Sequence, residues 1–125
     1  MMGPVQASEP PEQVVRAFVA AFNAHDPAAM IALAHEDVQW LFVNGDKVMV
    51  EAEGKEALKK SMTGYFKSIP SAKSTMEKQM SVGNYVTVWE RASWETKNGT
   101  RSQAALAVYL VEQGKIRRVW YYPEQ

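Results

Sequence analysis

The chain has 125 residues, of which 46% are hydrophobic and 22% charged, a composition typical of one globular domain and unlike that of a disordered segment. Its 14 basic and 14 acidic side chains give a formal net charge of zero. Because no excess of Lys and Arg attracts phosphates or an anionic membrane surface, we expect no nucleic-acid partner and no membrane partner.

Cysteine is absent from the sequence. The chain therefore has no disulfide and no thiolate ligand or nucleophile, which is typical of a cytoplasmic protein. No basic segment followed by an apolar run opens the chain, so we expect no signal peptide.

The two histidines, His25 and His35, lie too far apart for a helical ligand pair, and we predict no metal site. No glycine-rich phosphate-binding motif is present, and we expect no cofactor.

The N-terminal segment predicts a short tail and then a helix. Residues 1–11 are interpreted as a flexible tail, ahead of a single domain over residues 12–125. Ser8 can cap the first helix, with the two prolines that follow it in the first turn. Apolar residues at intervals of three and four extend this helix to about Ala24.

The next segment predicts a second helix, a hairpin and a third helix. An Asp-Pro pair suits a helix start, so the second helix is predicted over 27–34. Apolar residues on both sides of an Asn-Gly turn predict strands over 38–43 and 48–52. Apolar residues at helical spacing then predict a third helix over 58–69, which a proline ends.

The rest of the chain predicts a meander of long strands, separated by turns that contain glycine. The predicted strands cover 73–81, 85–96, 101–112 and 116–122. Long strands twist and curl, and an antiparallel sheet with helices on one face is an α+β arrangement. We therefore predict a cone-shaped, curved antiparallel sheet that encloses a pocket with three helices.

Three local motifs, in this order and spacing, resemble those of the nuclear transport factor 2-like superfamily, a cystatin-like roll. The resemblance is strongest to its SnoaL-like polyketide cyclase and ketosteroid isomerase branch, and it covers about residues 12–124. The motifs are Phe22-Asn23-Ala24-His25-Asp26, Gly54-Lys55-Glu56-Ala57-Leu58 and Gly114-Lys115-Ile116. The resemblance implies a cone that holds a small hydrophobic molecule and a homodimer formed through the outer face of the sheet.

The resemblance also allows the steroid-isomerase mechanism to be tested by position. That mechanism needs a carboxylate base, a tyrosine and a protonated acid. In this chain the tyrosine falls on Phe18, the base on Phe42, and the second acid on Ala107 or Val108. Since none of these side chains can donate or accept a proton, we expect the chain not to use that mechanism.

Glu90 is the first candidate for chemistry. Strand alternation places it on one face with Val88 and Ala92, and burial among apolar neighbours raises a carboxyl pKa towards the range of a general acid or base. The alternative is that Glu90 pairs with a cation near the rim of the sheet, where Arg91, Lys97 and Arg118 are available.

The strand over 101–112 is predicted to help form the hollow. Ala105 and Ala107 share a face with Gln103 and Tyr109, so small side chains leave space beside polar groups. We assign Tyr109 to catalysis with Glu90. The alternative is that helix side chains fill this space.

The resemblance implies that Val119 and Tyr121 face inward, which leaves Trp120 and Tyr122 for a subunit contact on the outer face.

The predicted pocket set combines aromatic, apolar and small side chains from helices and strands. Its members are Phe18, Phe22, Trp40, Met62, Tyr65, Phe66, Gln103, Ala107, Val119 and Tyr121.

Three functions remain open from the sequence. The first is a cofactor-free isomerase, cyclase or hydratase with Glu90 as acid or base and Tyr109, Tyr65 or Gln103 as orienting donors. The second is a non-catalytic domain that binds an apolar ligand. The third is a dimerisation module.

Overall fold

The structure, a computed structural model, describes residues 10–124. Ser8 and nearly all of the predicted tail lie outside this range, and the first helix begins at Pro11. None of the described helices is long and apolar enough to cross a bilayer. The elements are α1 (Pro11–Asn23), α2 (Pro27–Ala32), β1 (Ala34–Asn44), β2 (Lys47–Glu53), α3 (Lys55–Ser68), β3 (Lys73–Val82), β4 (Tyr85–Thr96), β5 (Gly99–Glu112) and β6 (Lys115–Pro123).

The six strands form one curved, unclosed sheet in the order β2-β1-β6-β5-β4-β3. Four neighbouring pairs are antiparallel, and β1 with β6 is parallel. The register shifts between Trp40 and Leu41 and again between Met76 and Lys78, and such bulges bend a strand and increase its twist. The predicted α+β class is confirmed, with one parallel pair added to the antiparallel meander.

The helices cover the concave face of the sheet with their apolar sides. α1 buries Val15 and Phe18, and α3 buries Leu58 and Met62. These side chains recur at helical spacing, so each helix presents one apolar stripe. They join inward residues of the strands in one hydrophobic cluster, which fixes the helices across the sheet.

The start of β1 differs from the prediction. The second helix ends at Ala32, although Asp26 caps it as expected, with its Oδ1 accepting from the Ala29 amide at 3.0 Å. The Leu33 carbonyl accepts from the Ile116 amide at 2.8 Å. Residues 33 and 34 therefore pair with β6, although helical spacing alone predicts that they form another half turn of α2.

Candidate functional site

A cavity of about 420 Å³ lies between the concave face of the sheet and helices α1 and α3. Its volume is within the range of small-molecule sites. Aromatic and aliphatic side chains form most of the wall, and a few polar groups interrupt it. The lining residues are Phe18, Val19, Phe22, Trp40, Phe42, Glu51, Ser61, Met62, Tyr65, Ile69, Ser74, Glu90, Ala92, Trp94, Gln103, Ala104, Ala105, Tyr109, Tyr121 and Pro123.

Glu90 and two tyrosines form the polar centre of this cavity. The Tyr109 hydroxyl donates to Glu90 Oε1 at 2.7 Å, and the hydroxyls of Tyr109 and Tyr121 lie 3.4 Å apart. Alternation along β4 turns Glu90 inward with Ala92, and the register of β5 places Ala105 opposite Glu90. A small residue beside the carboxylate leaves it accessible from the cavity.

Burial raises the pKa of the Glu90 carboxyl above its ordinary value, although the hydroxyls of Tyr109, Tyr121 and Ser74 lower it in part. Burial also raises the pKa of both tyrosines well above the ordinary value, and the charge of Glu90 adds to this. The two phenols therefore remain protonated and can serve as hydrogen-bond donors, while the carboxyl titrates closer to neutrality.

The aromatic wall consists of rings that contact one another around the cavity. Trp40 lies 5.0 Å from Tyr121 between ring centroids, and Phe42 stacks on Tyr121 at 5.3 Å. From the helix side, Phe18 lies 5.7 Å from Trp40. Such contacts hold the rings in fixed orientations, so the wall is pre-formed.

Further polar groups reach the cavity from other elements. Gln103 and Glu51 are exposed and lie on β5 and β2, whereas Ser61 and Tyr65 come from α3. Burial raises the pKa of the Tyr65 phenol. The Ser74 hydroxyl is buried and lies close enough to the Glu90 carboxyl to lower its pKa, but within residues 10–124 it makes no hydrogen bond of ordinary length and angle, so it can still bind a molecule in the cavity.

The motif at the end of α1 has a structural role beside the cavity. Asn23 donates from Nδ2 to the Ser74 carbonyl at 2.9 Å, and its Oδ1 accepts from the Ser74 amide at 2.7 Å. His25 lies 2.7 Å from the Ala72 carbonyl through Nε2 and stacks on Phe66 at 4.5 Å. Both side chains connect the helical layer to the start of β3.

The alternative interpretation of Glu90 as part of a rim ion pair does not match its surroundings. Arg91 faces away from the cavity, where its Nε lies 3.0 Å from Glu77. Arg118 pairs across the sheet with Gln39 and not with β4. Within residues 10–124, no Lys, Arg or His forms a salt bridge with Glu90.

The structure brings together nine of the twelve predicted site residues. Phe66, Ala107 and Val119 do not line the cavity and belong to the hydrophobic core. Phe66 is held against His25, and Ala107 and Val119 have no exposed surface. The residues that do line it are Phe18, Phe22, Trp40, Met62, Tyr65, Glu90, Gln103, Tyr109 and Tyr121.

Several residues that line the cavity are absent from the predicted pocket. Trp94 and Ala92 share the inward face of β4 with Glu90, and this alternation is readable from the sequence. Glu51 turns inward beside the bulge opposite Trp40 and Leu41, and such a register shift leaves no clear signal in the sequence. Ser74 follows from the pairing of β3 with β4.

Comparisons with solved structures show the same fold. A cystatin-fold protein from Novosphingobium aromaticivorans is 23% identical, with a TM-score of 0.78 over 92% of this chain and 97% of that one. A nuclear transport factor 2-like protein of unknown function from Cytophaga hutchinsonii is 20% identical, with a TM-score of 0.73 over 96% and 95%. TerC, co-crystallised with polyporic acid, is 16% identical, with a TM-score of 0.76 over 93% and 92%.

The sequence itself matches one family over most of its length. No protein of curated function matches it significantly. The profile of the SnoaL-like domain matches residues 15–119. The chain therefore belongs to the SnoaL-like domain family and has a nuclear transport factor 2-like fold.

Proposed function

We propose that this protein binds a small hydrophobic organic molecule in the cavity and exchanges a proton with it through Glu90. The observation that carries this proposal is the Glu90 carboxyl, placed among apolar side chains and hydrogen-bonded by Tyr109 at 2.7 Å. A carboxyl whose pKa is raised by burial is suited to accept and return a proton near neutral pH.

The geometry leaves one carboxylate oxygen for the bound molecule. Tyr109 donates to Oε1, whereas the hydroxyls of Tyr121 and Ser74 lie near the carboxyl without a hydrogen bond of ordinary geometry to Oε2 among residues 10–124. The ionised carboxylate can take a proton at Oε2, and the acid so formed can return it at a second atom of the same molecule. Isomerases, cyclases and hydratases share this step, and it needs no cofactor.

Orienting donors would come from groups other than those of the steroid isomerases. Phe18 and Phe42 line the cavity at the positions where that mechanism needs a tyrosine and a base. Tyr65 and Gln103 line it as well and can donate to a carbonyl or hydroxyl oxygen of the ligand. We therefore assign them to orientation, with Glu90 as the proton-transferring group.

Binding can be tested with N-phenylnaphthylamine, a neutral probe whose fluorescence increases in an apolar environment. We expect saturable binding with one probe per chain, because the cavity is aromatic and large enough for the two ring systems. Fluorescence titration of the folded protein measures it. A signal that rises without saturation, or no signal, would contradict the binding function.

We propose in addition that the outer face of the sheet pairs two copies of the chain. Trp120 lies beside Leu41 and Val108, and Leu106 lies beside Tyr122 and Trp89. Tyr122 and Leu106 expose 41% and 38% of their surface, and exposed apolar patches of this kind mark interaction sites. These six side chains are uncharged, and Lys78 lies beside Trp89 only at the edge of the sheet, so like charges do not face each other at the centre of a symmetric contact.

Light scattering at concentrations well above micromolar should give twice the chain mass of 14.0 kDa. Leu106→Lys should shift the protein towards the monomer, because the contact would have to bury a charged ammonium group among apolar side chains. A monomer mass for the unchanged protein would refute this self-association.

A further inference from the structure

The charged groups of the cavity all have one sign. Glu90 and Glu51 line it, and no Lys, Arg or His is among its lining residues within 10–124. The Glu90 carboxylate lies where water is largely excluded, so its interaction with a bound charge is only weakly screened. The exposed Glu51 is screened by solvent and contributes less. An anionic ligand would be repelled here, whereas a cation would find a partner.

The aromatic wall favours the same kind of ligand. Eight aromatic side chains line the cavity: Phe18, Phe22, Trp40, Phe42, Tyr65, Trp94, Tyr109 and Tyr121. The face of an aromatic ring attracts a cation, most strongly for tryptophan and most of all when water is excluded. Trp40 and Phe42 both contact the ring of Tyr121, whose hydroxyl lies in the polar centre. An ammonium group beside Glu90 would therefore lie within a wall of rings.

We propose that the hydrophobic ligand of this cavity carries an aliphatic ammonium group, which pairs with the Glu90 carboxylate while aromatic side chains surround its apolar body. This rests on the proposed function, since it names the class of molecule that the cavity binds. The Ser74 hydroxyl also lines the cavity and can accept a second hydrogen bond from the ammonium, which has three donors.

Three probes of matched shape test the charge preference: naphthylethylamine as the cation, naphthylethanol as the neutral analogue and naphthylacetate as the anion. Calorimetric titration of the full chain near neutral pH should rank them amine, alcohol, carboxylate. We expect the amine to bind about tenfold more tightly than the alcohol, which corresponds to ~1.4 kcal/mol.

The outcomes separate this proposal from the proposed function. If the alcohol binds as tightly as the amine or more tightly, the ammonium preference is refuted while the hydrophobic cavity stands. If none of the three binds, the binding function fails and the ammonium proposal fails with it. An amine that alone binds tightly supports both.

Variants locate the preference within the cavity. In Glu90→Gln, which keeps an acceptor for Tyr109, the amine should bind no more tightly than the alcohol. Glu51→Gln should change the ratio by less than about twofold, as expected for an exposed and screened charge. Glu56→Gln, at an exposed position in the first turn of α3, is the matched control and should leave the ratio unchanged. A preference that survives in Glu90→Gln would overturn the assignment to Glu90.

Discussion

Ala105→Trp is expected to weaken binding of N-phenylnaphthylamine on the order of a hundredfold, or ~2.8 kcal/mol. Ala105 lines the cavity opposite Glu90 and is only partly buried. An indole at this position extends into the open space and occupies the volume that the probe needs. Fluorescence titration of the variant beside the unchanged protein measures the loss.

The control for this substitution is Ala57→Trp, which adds the same ring at an exposed position of α3. It should bind the probe like the unchanged protein. A thermal unfolding curve of each variant shows that it is folded, and Ala92→Trp, also in the cavity wall, replaces Ala105→Trp if that variant does not fold. If a folded cavity-filling variant keeps full affinity, the probe binds outside the cavity and the prediction is wrong.

The sequence alone suggests Ala107 for such a cavity-filling substitution, with the fold left intact. The structure corrects this choice, because Ala107 has no exposed surface and belongs to the packed core. A tryptophan there would meet the side chains around it and destabilise the fold by about 1–3 kcal/mol or more. The neighbouring inward position, Ala105, is the one that borders open space.

Glu90→Gln is expected to stabilise the protein, and the gain should grow with pH. Because burial raises the folded-state pKa of Glu90 above the ordinary 4.5, ionisation favours the unfolded chain. The contribution of the protonated Glu90 carboxyl to the free energy of unfolding is fully present below the unfolded-state pKa. It is lost as pH rises through the folded-state pKa. Each kcal/mol gained raises the Tm by about 2–8 °C for domains near this size.

Thermal unfolding of the unchanged protein and of Glu90→Gln measures the difference in Tm, at pH values from below the unfolded-state pKa of Glu90 to above its folded-state pKa. It should widen with pH and level off above the folded-state pKa of Glu90. Glu56→Gln serves again as the exposed control, and its difference should stay small. A constant difference at every pH, or a carboxyl signal that titrates in NMR near the ordinary value of 4.5, would contradict proton transfer by Glu90.

Much of the fold is readable from the sequence because its signals are local. The spacing of apolar residues predicts α1 and α3, and glycine turns separate the long strands close to where they end. The parallel pairing of β1 with β6 is less readable, since it joins residues such as Gln39 and Arg118 that lie far apart in the chain. The early start of β1 is equally hard to predict, because it depends on the same long-range pairing with β6.

The candidate site is readable where strand alternation decides it. Glu90 and Tyr109 follow from the inward faces of β4 and β5, whereas the hydrogen bond between them is not predicted from the sequence. Phe66 and Val119 also face inward, but packing between the helices and the sheet decides whether an inward residue borders space or core. That division depends on side-chain contacts from several elements and has no local pattern.

The two hydrogen bonds between Asn23 and the backbone of Ser74 also affect how the protein meets other chains. β3 is an outer strand of the sheet, and unpaired edge groups can template aggregation. The carboxamide occupies the donor and the acceptor of Ser74, so an incoming strand finds no partner there. Met80 and Val82, near the other end of β3, expose 64% and 67% of their surface. Strand addition from a foreign chain would therefore begin at that end, on the side remote from the cavity wall.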